Sequence, residues 1–110
     1  MVKYSKFDVL YVMFPYREHD GRFKSRPAIV LDNDEMSYLS AQVTSEFKPY
    51  YGSPEYYIIQ DWKHAGLLHP SVAHLSQTEP IPETQVIVKL GHLSEKDVQS
   101  VLKNLKKLGK

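Results

Sequence analysis

The apolar residues of this chain fall into short β-branched and aromatic runs, and almost every run is cut by proline, glycine or an acidic cluster. Runs of that length and composition make buried strands, because a helix needs a longer stretch with a spaced apolar stripe. Phe7–Phe14 is the first and stops at Pro15. A polar loop around Gly21 follows, and Arg26–Leu31 forms a second strand with Pro27 at its opening, where a missing amide is tolerated. Asp32-Asn33-Asp34-Glu35 is turn chemistry. Third and fourth strands are predicted over 38–45 and 56–60, separated by a loop with Pro49, Gly52 and Pro54. Ser71–Gln77 alternates apolar and polar residues like a half-exposed strand, which Pro80 and Pro82 should end. Residues 85–90 fit either a short strand or a helical turn.

The last segment alone has helical spacing. Ser94 followed three residues later by Asp97 resembles a capping box, with Asp in place of Glu. Val98, Val101, Leu102, Leu105 and Leu108 then recur at intervals that build one apolar face, with lysines opposite. Five or six strands and one amphipathic C-terminal helix make a mostly β domain. In 110 residues the economical arrangement is a strongly bent sheet or partly open barrel with the helix over one side.

Composition narrows the function classes. The chain has no cysteine, which excludes a disulfide scaffold, a thiolate zinc site and a cysteine nucleophile. With 42% hydrophobic and 25% charged residues it has the balance of an ordinary globular domain. No apolar run approaches the roughly 18 residues of a membrane span, and the N-terminus has no signal-peptide core, so a cytoplasmic protein without a membrane partner is expected. The net charge of +1 conceals segregation: residues 1–30 carry six Lys/Arg against three Asp/Glu, whereas residues 31–60 carry one against five. Basic ends of this kind can present one positive face to a polyanion or form a solvated mixed surface.

Candidate chemistry is sparse. His64, His69 and His74 recur every five residues, which throws them to opposite faces of a strand or about 140° apart on a helix, so they read as surface histidines before metal ligands. The glycines fit no phosphate-binding loop, and there is no G-x-S-x-G elbow. What remains is Arg26, opening a strand after a loop that holds Arg17, Arg22 and Lys24, together with the hydroxyl pair Thr44-Ser45. Metal-free RNA cleavage needs a base, an acid and donors for the charge on phosphorus. Arginine supplies the donors as a planar fork.

The order of segments resembles the MazF/PemK toxin family. The likeness runs through the Phe14-Pro15 strand end, the charged loop, Arg26-Pro27, Val43-Thr44-Ser45, Gly66–Val72 and Gly91-His92-Leu93-Ser94. It implies a small SH3-like, partly open barrel of five to six strands with a C-terminal helix, spanning 1–110 as a single toxin domain. It further implies a homodimeric endoribonuclease toxin that cuts single-stranded RNA without metal or other cofactor, leaves a 2′,3′-cyclic phosphate, and is neutralised by a cognate antitoxin. Thirteen aromatic residues, eight of them tyrosine, are many for so small a core and leave some for a symmetric contact.

By that resemblance Arg26 is the catalytic arginine and Thr44, with Ser45 beside it, the strand-end hydroxyl. His19 occupies a loop in which some members carry an RNA-contacting histidine. Arg17, Arg22 and Lys24 would receive RNA or an acidic antitoxin segment. On the fifth strand the sequence departs from the family: Ser76-Gln77-Thr78-Glu79 stands where many relatives have an acid, Gln, another residue and Arg. Ser76 and Gln77 are then expected at the RNA, and His74 stands where some members use an arginine as proton donor. An imidazole there can titrate near neutrality. Two other readings are a non-catalytic toxin of the same fold that binds gyrase, as the CcdB toxins do, and a degenerate binding module.

Overall fold

The computed structural model describes residues 3–17, 23–34, 37–45 and 53–110, and within these the side chains of 14–17 and 23–24 are left aside. Strands β1 (Asp8–Arg17), β2 (Phe23–Asn33), β3 (Ser37–Thr44), β4 (Tyr56–Ile58), β5 (Val72–Pro82) and β6 (Val86–His92) precede one helix, α1 (Glu95–Lys107). All strand pairs are antiparallel, in the order β4-β5-β3-β2-β1-β6. The sheet curls without closing, since β4 and β6 at its two ends do not pair.

The unbroken apolar character of β1 and β2 follows from burial on both faces. Val9 and Ile29 pair across the strands and belong to one core with Ala41, Leu75, Leu93 and Val101. Their neighbours Leu10, Val12, Ala28 and Val30 point the other way, into a second core with Tyr38 and Ile81. The helix covers the first core. Val101 is buried, Val98, Leu105 and Leu108 pack against the cluster, and Leu102 is 44% exposed. The apolar stripe is therefore narrower than the spacing suggested, and Leu102 lies off it.

Ser94 is the N-cap of α1, its hydroxyl oxygen accepting from the Asp97 amide at 3.2 Å. The Asp97 carboxylate does not complete a local capping box. Fully buried, it accepts from the Tyr57 hydroxyl, the Gln60 amide at 2.9 Å and the Asp61 amide at 2.8 Å. The short Asp side chain thus binds the helix start to the connection that leaves β4. Buried among apolar groups and donating to Asp97, the Tyr57 hydroxyl has its pKa pushed up to about 12.

Two strands differ from the sequence expectation. β2 begins at Phe23, so Pro27 lies inside it rather than at its opening. β5 runs through Pro80 to Pro82. The expected alternation of Val72, His74 and Ser76 on one face meets an irregularity: while β3 advances from Ala41 to Val43, β5 passes from Thr78 to Ala73. The surplus residues of this bulge are drawn from 74–77, the very stretch carrying His74, Ser76 and Gln77.

Candidate active site

Between β2 and β3 the last ladder pair is Ala28 with Gln42. Pro27, which lacks an amide hydrogen, stands one step beyond. Continuing the register sets Pro27 against Val43 and Arg26 against Thr44. There the ladder gives way to a cavity of about 540 Å³, with Ser25–Pro27 on one side and Val43–Ser45 on the other. Tyr11, Val88 and Leu90 from β1 and β6 and residues 66–69 and Ser71 complete the wall.

Its polar groups are few and specific. Arg26 is half-buried, and its Nε is fully buried with no hydrogen-bond acceptor among the described residues. A buried N–H left unpaired carries a desolvation cost that an acceptor brought to it would offset. Thr44 is buried, Ser45 exposed, and His69 exposed on the facing connection. Among the described residues no aspartate or glutamate lines the cavity, and the permanent charge of that lining is the positive one on Arg26. Such a site favours a phosphodiester over a cation. Among the described residues no group of three His, Asp or Glu side chains is placed to hold a metal.

Backbone contacts hold the facing wall in place. Gly66, at φ +84°, lies against the Leu90 carbonyl, and a Cβ on Gly91 would come within 2.6 Å of the Ala65 carbonyl oxygen. Only two glycines permit the connection to touch β6 this closely. Further on, Ser71 donates through its hydroxyl to the His69 carbonyl at 2.8 Å, and the Ile59 amide donates to the Ser71 carbonyl at 3.0 Å.

Of the residues singled out from sequence, Arg26, Thr44 and Ser45 meet at this cavity. His74 does not line it: half-buried, it pairs with Tyr56 across β4 and β5, and the two rings meet edge-on at 4.9 Å. Ser76 and Gln77 are exposed on the bulge, where Ser76 donates to Glu55 Oε2 at 3.3 Å. The backbones of Arg17 and Lys24 sit at the far ends of β1 and β2, with side chains outside the description; His19 and Arg22 lie outside the described residues. Sequence reasoning missed His69, Ser71 and Tyr11. The signal for His69 is the pairing of Thr44 with Val72, which brings the residues just before β5 to the cavity beside Thr44.

A second polar cluster lies at the β1–β6 seam. Buried Asp8 accepts from the Ser5 amide at 2.9 Å, and its other oxygen lies 2.8 Å from His92 Nδ1 and 3.3 Å from Lys89 Nζ. Burial pushes the Asp8 pKa up, but the Ser5 amide, His92 and Lys89 together outweigh it and hold the carboxyl below its ordinary value. No helix among the described residues is long and apolar enough to cross a membrane.

Solved structures share this architecture, two of them toxin-related. A Mycobacterium tuberculosis toxin, MazF-mt6, superposes with a TM-score of 0.68 over 91% of this chain and 93% of its own, at 15% identity. A mycobacterial endoribonuclease in complex with its cognate antitoxin gives 0.70 over 94% and 93%, at 12% identity. At such identities the likeness is one of fold. No curated protein matches the sequence significantly. The family model of the PemK-like, MazF-like toxins of type II toxin–antitoxin systems matches residues 5–109, and the chain belongs to that family.

Proposed function

We propose that this protein is the toxin of a type II toxin–antitoxin pair and acts as a sequence-selective endoribonuclease on single-stranded RNA. The observation that carries the reading is the buried, unpaired Nε of Arg26 beside a cavity that also holds Thr44 and Ser45 and, among the described residues, no carboxylate. The 2′-oxygen attacks the adjacent phosphorus, the bond to the 5′-oxygen breaks, and a 2′,3′-cyclic phosphate and a 5′-hydroxyl result. Arg26 donates to the non-bridging oxygens as charge builds on them, and Thr44 holds a phosphate oxygen in place. None of these steps calls for a metal.

The same cavity suits an antitoxin segment. Leu67, Leu68, Val88 and Leu90 give it apolar walls around one cation, the combination that seats an acidic chain with apolar anchors. One solved relative is an endoribonuclease complexed with its cognate antitoxin, which supports that partnership here. Exposed Ile58, Ile87 and Val88 supply apolar surface for a homodimer. A cytoplasmic location accords with an RNA substrate. Incubating the purified protein with a long single-stranded RNA in excess EDTA, then mapping the ends, tests the activity. Discrete cuts with cyclic phosphate and 5′-hydroxyl ends are expected; intact RNA would refute it.

A further inference from the structure

We infer that His69 is the general base of this site. The inference rests on the reading of the cavity as an RNA-cleaving centre. Attack by the 2′-oxygen requires that its proton leave, and the cavity offers few groups to take it. Among the described residues its titratable lining groups are Tyr11 from β1, Arg26 from β2 and His69 from the connection before β5; β3 and β6 contribute none. A guanidinium does not give up its proton in proteins, and a phenol ordinarily holds its own until about pH 10. Imidazole is the side chain suited to accept a proton near neutrality.

The placement supports the role. His69 is exposed, so its ring can meet a substrate, while its backbone is held by the Ser71 hydroxyl. Three residues after His69, β5 begins at Val72, directly opposite Thr44. The phosphate held by Arg26 and Thr44 therefore lies beside the segment bearing the imidazole. In the step, neutral His69 takes the proton of the 2′-hydroxyl as the 2′-oxygen–phosphorus bond forms. The phosphorus–5′-oxygen bond breaks, the 5′-oxygen takes a proton from water, and the imidazolium returns its own to solvent.

The test compares cleavage by the parent, His69→Gln, His69→Ala and His64→Gln across pH, with binding of an uncleavable 2′-O-methyl RNA as a parallel measurement. His64 is exposed and lies off the cavity, so its variant should match the parent. The parent rate should rise with pH as the base loses its proton and then level. His69→Gln should still bind the uncleavable RNA, cut it in cleavable form at least about a hundredfold more slowly, and lose that limb. Added imidazole should restore part of the rate to His69→Ala. If His69→Gln keeps the parent rate and limb while Arg26→Ala is inactive, His69 is not the base and the cavity's function stands. If the parent cuts no RNA, both readings fall together.

Discussion

Arg26 on β2 and Thr44 on β3 stand two positions past the last β2–β3 ladder pair, Ala28 with Gln42, opposite one another in the continued register. Val12 lies beside Arg26 on β1 and Val72 beside Thr44 on β5, so each polar residue is flanked by a buried valine. The pair is thus set on paired strands, with the cavity beside it.

Replacing Thr44 by Val keeps the shape and removes the hydroxyl. Cleavage should fall by at least about a hundredfold if the hydroxyl serves phosphorus, while stability drops only by ~1 kcal/mol for a buried hydrogen-bonding group. Single-turnover rates and urea unfolding measure the two effects separately. An unaltered rate would remove Thr44 from the site.

Gly91→Ala should damage the site from a distance. The new methyl would press on the Ala65 carbonyl and push the connection bearing Leu67–His69 off β6. Overpacking of this kind costs about 1–3 kcal/mol. Cleavage should decline along with stability, whereas Gly109→Ala, with nothing near its Cβ, should leave the rate unaltered.

Asp97 should be the most sensitive polar residue of the core. Asp97→Ala strands the Tyr57 hydroxyl and two backbone amides, a loss of roughly 3 kcal/mol or more out of a typical 5–15. Tyr57→Phe removes one donor and should cost about 1–2 kcal/mol. The raised Tyr57 pKa, about 12, adds a signature in alkali. Its contribution is complete below the unfolded value of about 10 and is lost as pH rises from there through 12. Tyr57→Phe should therefore flatten the decline of stability over that window.

At the acid end the responsible group is Asp8, with its pKa lowered. Its contribution is present above the unfolded value, near ~3.9, and is lost as pH falls through the lower folded one. Asp8→Asn should be less stable than the parent at neutral pH, and the gap should narrow under acid. Urea midpoints of both proteins from neutrality to about pH 2 would show it.

Much of the fold was legible because local chemistry agreed with tertiary structure. The cut runs at Phe7 and Arg26, the Ser94 cap and the 98-101-105-108 stripe each needed only neighbouring residues to be read. β5 was not legible past Gln77, because prolines signal a break unless the strand's outer side is unpaired. β4 reaches only from Val72 to His74 on β5, so among the described residues no strand meets Pro80 or Pro82 from that side. Arg26 and Thr44 were singled out by the likeness of Arg26-Pro27 and Val43-Thr44-Ser45 to the family's motifs, and both line the cavity. His69 was not, since its approach to Thr44 depends on how β3 and β5 register across a bulge, a long-range fact that spacing along the chain does not contain.

The central claim, that the cavity around Arg26 cleaves RNA, is tested most directly by Arg26→Ala. Its single-turnover cleavage of single-stranded RNA in EDTA should be compared with the parent's, with circular dichroism confirming that both are folded. A fall of about a hundredfold or more with the fold intact is the predicted result, because one charge-stabilising donor has been removed. Cleavage at the parent rate by a folded Arg26→Ala protein would contradict it.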